Sequence, residues 1–194
     1  MTKAASAIEA HTREDWRTWL KNHHAHEAGV WLVTFKKSSG MPHLDYNAAV
    51  EEALCFGWVD SKPGKVDEKR SKLWFSPRKR GTGWSRPNKE RVARLIASGL
   101  MCEAGRIKIE AAKNDGSWSK LDAVEALEVP ADLAQAFQTH PGSMDNFEAF
   151  PRSVKRGILD WLVQAKRPET RAARLEETAR LAAENKRANQ WVRK

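Results

Sequence analysis

The stretch WVDSKPGKVDEKRSKLWFSPRKR (58–80) decides how the chain folds. WVDS (58–61) starts a strand, KPGK (62–65) and DEKR (67–70) are polar and turn-like, and KLWFS (72–76) returns as a second strand. Two apolar runs joined by a polar link form an antiparallel ribbon, here of about ten residues per arm. Successive strand residues point to opposite faces, so Trp74 and Phe75 cannot both look into the core and at most one of them faces solvent. PRKRGTG (77–83) continues the second arm as a basic, glycine-containing surface loop.

Outward from the ribbon, the neighbouring segments supply a third strand and its covering helices. WLVTF (31–35) alternates, with Trp31, Val33 and Phe35 on one face. A helix is expected over 12–27, with Thr12 as N-cap, Asp15 at the capping-box position and Glu14 near the positive end. Trp16, Trp19, Leu20 and His23 share its face, and Gly29 ends it. SSGMP (38–42) is a turn. Asp45 caps a helix to Phe56 with an inward stripe of Tyr46, Ala49, Val50, Ala53 and Leu54, stopped by Gly57. Ser85 is the expected N-cap of a helix to Ser98, with Pro87 in its first turn and Val92, Leu95 and Ile96 inward. A weaker helix over 103–113 and a turn at NDGSW (114–118) follow.

From 119 onward only helical patterns occur. Pro130 opens a short helix with Leu133, Ala136 and Phe137, and HPG (140–142) breaks it. A short element covers 143–150. Val154, Ile158, Trp161, Leu162 and Ala165 mark a strong amphipathic helix over 152–166. Pro168 interrupts, and a last helix over 169–187 carries Leu175, Thr178, Ala179 and Ala182 on one side. In ENKRANQWVRK (184–194), Trp191 is a docking anchor or an exposed tail residue. The fold class is therefore α+β: a small antiparallel sheet packed on helices, followed by an all-helical C-terminal region. The expected division is an α+β domain over 1–122 and a helical region over 123–194.

Composition narrows the class. The 194 residues are 41% apolar and 30% charged, which suits a globular chain able to bury a core without disulfides. No apolar run approaches the length of a membrane span, so no membrane insertion is expected. MTKAASAIEAHTRED lacks the apolar region of a secretory signal. Cys55 and Cys102 are far apart and form no metal spacing, which points to a reducing cytoplasm. Nine Trp stand against one Tyr, and most of the nine are expected in the core or half-buried. The net charge of +9 is local: residues 61–94 hold twelve Lys and Arg against three Asp and Glu, while the rest of the chain balances to zero.

The C-terminal half carries a resemblance. PRSVKRGILDWLVQAKRPETRAARLEETARLAAENKR (151–187) resembles the C-terminal signature of the bacterial YdeI/OmpD-associated (bacteriocin-protection) family. Trp161, the run Ala165 to Arg171 and Arg174 are its most specific residues, and Pro130, Asp132 and Leu133 fit upstream. FGWVDS (56–61), LWFSPRK (73–79) and WSRPNKERVARLIASGLM (84–101) resemble longer members of the same family. The resemblance covers most of residues 30–190. It implies a role in bacteriocin protection or envelope stress, and it implies no catalytic residue, cofactor or substrate.

The chemistry-bearing residues gather in the basic segment. Lys69, Arg70, Lys72, Arg78, Lys79, Arg80, Arg86, Lys89 and Arg91 surround Trp74, Phe75 and Trp84. Cations gather phosphates, and flat aromatic faces stack on unpaired bases. The expected partner is a polyanion such as nucleic acid, bound through 62–94, with Trp74 and Trp84 as stacking residues. The bland alternative is a solvated loop with the aromatics in the core, and an acidic protein surface is a further possible partner. A different class of reading is a small-molecule binder or enzyme, with a pocket between sheet and helices that takes an anionic metabolite. His23, His24 and His26 do not converge as metal ligands on a helix, and no metal or cofactor is expected. No GxSxG or phosphate-loop motif occurs, so no catalytic residue is assigned. Cys55, between Leu54 and Phe56, reads as a buried inert thiol. Asp60 is a lone carboxylate placed to pair with Arg78 or Lys72. Lys166, Arg167, Glu169, Arg171 and Arg174 around Pro168 read as capping and interhelix ion pairs.

Overall fold

The sheet begins with a strand that no alternation announces. In the computed structural model, which describes residues 6–189, β1 (Ala7–Glu9) is three residues long and pairs in parallel with β2 (Val30–Phe35), Ala7 opposite Trp31 and Glu9 opposite Val33. Between them lies α1 (Arg13–His23). Its capping box forms as the sequence suggests: Thr12 Oγ1 accepts from the Asp15 N–H at 3.1 Å, and Asp15 Oδ2 accepts from the Thr12 N–H at 3.1 Å. α2 (Tyr46–Cys55) starts where Asp45 Oδ1 accepts from the Asn47 N–H at 2.8 Å.

The expected ribbon is a hairpin of two eight-residue strands, β3 (Trp58–Lys65) and β4 (Arg70–Pro77). KPGK belongs to the first strand, so the turn is confined to 66–69. Asp67 Oδ1 closes it, accepting from the N–H groups of Lys69 (2.9 Å) and Arg70 (2.7 Å). The sheet order is β1-β2-β4-β3, with a bulge between Asp60 and Pro63 on the β3 edge. The sheet is thus the antiparallel β2-β4-β3 set with one short parallel strand added. α3 (Arg86–Ala97) and α4 (Glu103–Asn114) complete the unit, which extends to Ser119. Ser85 holds the N-cap position of α3, but its side chain makes no capping hydrogen bond. α4 crosses the end of α2 so closely that a Cβ on Gly105 would stand 2.5 Å from the Cys55 carbonyl oxygen.

One sheet face carries the core. Val30, Leu32, Leu73 and Phe75 alternate inward and meet Trp16, Leu20, Ala53, Leu54, Trp58, Trp84, Val92 and Leu95. Two expected inward residues are not there: Tyr46 is 52% exposed and Ile96 39%. Tyr46 is the first residue of α2 and Ile96 the second-last of α3, where the helix has left the surface that its middle turns cover. The core is fixed at α1 by Glu52, buried on α2 and held by Arg13 and Arg17 together. Every described Trp is buried or half-buried; Trp191 lies outside the described residues.

The second unit, from Lys120, is helical: α5 (Asp122–Ala126), α6 (Ala131–Gln138), α7 (Ser143–Ala149), α8 (Arg152–Val163) and α9 (Pro168–Ala183). Leu133, Phe137, Phe147, Ile158, Leu162, Ala179 and Ala182 form its own core. Of the charges expected to tie the Pro168 joint, Arg171 and Arg174 do so, and Arg167 makes no side-chain capping bond. The Arg171 guanidinium grips Asp132, with Nη2 3.0 Å from Oδ1, and donates to the Leu162 carbonyl at 3.1 Å. Arg174 donates to the Trp161 carbonyl and lies 4.7 Å over its ring. Among the described residues no helix is long and apolar enough to cross a membrane.

Candidate functional site

The sheet has a second face, and the pairing register puts two tryptophans on it. Val30 and Leu32 point into the core, so Trp31 between them points out, and it pairs directly with Trp74, the outward neighbour of the buried Phe75. Of the Trp74–Phe75 pair, Phe75 is therefore the core residue and Trp74 the outward one. The two indoles meet edge to face with centroids 5.3 Å apart. Lys72, two residues before Trp74, lies on the same face; its stem passes over Gly64 and its ammonium sits 4.6 Å over the Trp31 ring. Trp31, Trp74, Ser61 and Lys62 line a recess of about 290 Å³. An ammonium over an indole is held by the ring's negative face, which fixes both groups in place.

Opposite the recess, where the core face runs past the ends of its helices, is a larger pocket of about 540 Å³. Leu32, Leu73, Leu44 and Ala49 give it an apolar floor, and Lys37 and His43 stand at its wall. The covering loop is pinned by the Leu44 N–H, which donates to Thr34 Oγ1 at 3.0 Å. At the mouth the Tyr46 hydroxyl donates to Asp60 Oδ2 at 2.9 Å. Partial burial, with that bond to a carboxylate, raises the Tyr46 phenol above its ordinary range.

The expected binding residues do not share one surface. Lys72 and Trp74 are on the outer sheet face. Lys69 is exposed in the hairpin turn, and Arg70 is spent on Asp67 (2.8 Å) and Glu9 (3.3 Å). On α3, Arg86 pairs with Glu90 of the same helix at 3.7 Å, while Arg91 donates to Asn47 at 2.7 Å and Arg94 to Glu51 at 3.2 Å, both on α2. Lys89 lies 5.3 Å over the Trp118 ring. Lys79 and Arg80 are exposed in the loop.

Two of the expected binding residues need correction. Trp84 is 1% exposed and Arg78 4%, so neither offers an open face on which a base could stack. They stack on each other, the guanidinium carbon 3.9 Å from the ring centroid, and burial pulls the Arg78 guanidinium down to about 10. The segment reads as a surface loop because it is rich in Arg, Lys and Gly, yet Trp84 belongs to the core cluster and carries Arg78 in with it. Asp60 bonds to Tyr46 and acts on Arg78 only through its charge. Trp31 lies outside the segment 62–94, and Lys62 is singled out only by the Trp31–Trp74 recess. The alternation of WLVTF places Trp31 on a face, but only the register shows that it faces Trp74.

The other chemical candidates are occupied locally. His23 Nδ1 lies 2.8 Å from the Trp19 carbonyl and His24 Nδ1 2.9 Å from that of Leu20. Burial pushes the Cys55 thiol up to about 11. Among the described residues no three His, Cys, Asp or Glu side chains converge as metal ligands.

Two family models match the chain. Residues 8–108, nearly the whole sheet-bearing unit, match a family described as Domain of unknown function (DUF8412). Residues 126–185, the helical unit, match the family described as Bacteriocin-protection, YdeI or OmpD-Associated. No curated protein and no solved structure matches the chain.

Proposed function

The chain belongs to the family described as Domain of unknown function (DUF8412) and carries a YdeI/OmpD-associated region, and from that premise we propose that its sheet-bearing unit binds a single-stranded polyanion such as nucleic acid. The observation that carries this reading is the Trp31–Trp74 pair, edge to face on the outer sheet face with Lys72 over one ring and Lys62 beside the recess. A recess walled by two indoles accepts a flat base, and the flanking ammonium groups meet its phosphates. Lys62, Lys69 and Lys79 are exposed, so their charge is available to a partner. The binding is sequence-tolerant, because stacking and phosphate contact read no base edge.

Fluorescence anisotropy with labelled single-stranded DNA and RNA, repeated over a salt series, tests the reading. Affinity falls steeply with salt, by a log–log slope of about 0.7 per phosphate neutralised. Trp31→Ala and Trp74→Ala each weaken binding by about 1–3 kcal/mol, the value of one stacked base. Salt-insensitive binding, or affinity unchanged in both variants, overturns it.

A second reading is supported by the 540 Å³ pocket, whose size suits a small molecule. Its apolar floor, with Lys37 and His43 at the wall, favours an amphiphilic carboxylate or phosphate ester. Thermal-shift screening against such compounds separates the two: a stabilising ligand that nucleic acid does not displace favours the pocket.

A further inference from the structure

Three tryptophans are fully buried in the sheet-bearing unit, and one differs from the others. Trp16 Nε1 donates to the Ala49 carbonyl at 3.0 Å, and Trp58 Nε1 to that of His24 at 3.2 Å. Trp84 Nε1 finds no acceptor among the described residues, and neither does Nε of Arg78, the guanidinium stacked on it. A buried indole N–H ordinarily has a partner, and a buried charged donor still more so. Here two orphaned donors occur side by side.

The two residues also share one recess. Arg78 and Trp84 line a recess with Lys79, Arg80, Lys108 and Ser117 around it, and about 10 Å³ is free inside, room for one atom of the size of a water oxygen. The one carboxylate on its wall, Asp115, is already engaged by the N–H groups of Ser117 (3.0 Å) and Gly81 (3.3 Å). The Arg78 side chain has two other bonds, from Nη1 to the carbonyls of Gly83 (3.1 Å) and Thr82 (3.5 Å), which are neutral. Among the described residues Asp60 is the carboxylate that acts on its charge, and burial weakens the guanidinium. A neutral acceptor would satisfy the donors but leave that charge uncompensated; an anionic oxygen does both.

We infer that the Arg78–Trp84 recess is an anion site that takes one oxygen of a phosphoryl group, with the rest of the group held at the mouth by Lys79, Arg80 and Lys108. The Arg78 Nε–H and the Trp84 indole N–H donate to the inserted oxygen, and the three cations meet the outer oxygens. This differs from the sheet-face reading and does not rest on it: the buried donors are not Trp31, Trp74 or Lys72, and only the exposed Lys79 is common to both.

The test is a titration of the folded chain with inorganic phosphate at constant ionic strength, read by the proton–nitrogen resonances of the Trp84 indole and Arg78 Nε. Trp84→Phe identifies the indole signal. Both resonances shift saturably with phosphate. Arg80→Ala and Lys108→Ala, at the rim, weaken the apparent affinity roughly two- to fivefold each. Arg78→Met, which keeps the bulk and removes the donor and the charge, abolishes the effect. If that variant does not fold, the rim variants still decide the matter. Unmoved resonances overturn the inference, and so does an equal shift with chloride, which would mark a halide site. A short oligonucleotide forms the second arm: if it shifts the Trp84 indole signal, the phosphoryl group comes from a nucleic acid backbone, and if only free phosphate does, the site serves a small phosphate. Loss of oligonucleotide binding in Trp31→Ala with the phosphate response intact separates this site from the sheet face.

Discussion

The indole of Trp74 lies directly against Gly29, with its Cζ2 atom 2.3 Å from the point where a Cβ on that residue would stand. Gly29 precedes β2, and its missing side chain is what lets the outward ring settle onto the sheet beside Trp31. Gly29→Ala therefore pushes the Trp74 ring away from its place. The expected cost is about 1–3 kcal/mol by urea unfolding, the range for overpacking a filled site. Combining it with Trp74→Ala recovers part of that loss, because the ring clash is gone while the Phe75 carbonyl oxygen, 3.0 Å from the same point, stays. Independent, additive effects of the two changes would contradict the contact.

Glu52 predicts an asymmetry. Its carboxylate is buried, whereas its partners Arg13 and Arg17 are about a third exposed. Glu52→Gln leaves two arginines that can turn to water and costs about 1–3 kcal/mol. Arg13→Ala with Arg17→Ala strands a buried carboxylate and costs about 3–5 kcal/mol. Denaturant midpoints of the two variants order them, and a larger loss in Glu52→Gln would refute the argument.

The helical unit should show a defined acid sensitivity. The hydrogen bonds from Arg171, opposed weakly by burial, hold the Asp132 carboxyl below its usual value. The folded state thus binds that proton less readily than the unfolded chain does. The stabilisation is complete above the ordinary aspartate value of about 3.9 and is lost as pH falls through the lower folded value. Asp132→Asn lowers stability at neutral pH and flattens that part of the acid melting curve. A mutant curve parallel to the wild type throughout would exclude the linkage.

The two thiols should separate cleanly. Cys55 is buried with its pKa raised to about 11, and Cys102 is half-exposed next to Arg17. At mildly alkaline pH a disulfide reagent titrates one thiol per folded chain and two after unfolding. Cys102→Ser removes the fast phase; its persistence would mean that Cys55 is accessible.

Local rules made much of this fold legible. Thr12 with Asp15, Asp45, and the alternation in 31–35 and 72–76 each specify their structure within a few residues, and each forms as read. The YdeI/OmpD-associated region was readable from Trp161 to Arg174, and Arg171 and Arg174 do tie the joint there. What escaped was set by distant partners. β1 has three residues and exists because β2, more than twenty positions on, offers a parallel edge. Trp84 and Arg78 have the composition of a surface loop, and only the packing of α3 and α4 shows them enclosed. Tyr46 and Ile96 obey the helical period yet sit at helix ends, where the period no longer reports the neighbour. For the site, the sequence marked Trp74 and Lys72 but could not give the register that brings Trp31 alongside them.

The bulge and Pro63 on β3 also bear on how copies of the chain meet. β3 is an edge of the sheet, and Pro63 has no N–H to offer a strand laid against it, while the bulge beside it bends the ladder out of line. A second sheet cannot extend this one across that edge without losing bonds at the centre of the contact. That edge is therefore guarded against runaway strand addition, so crowded copies of the chain do not seed a fibre through β3.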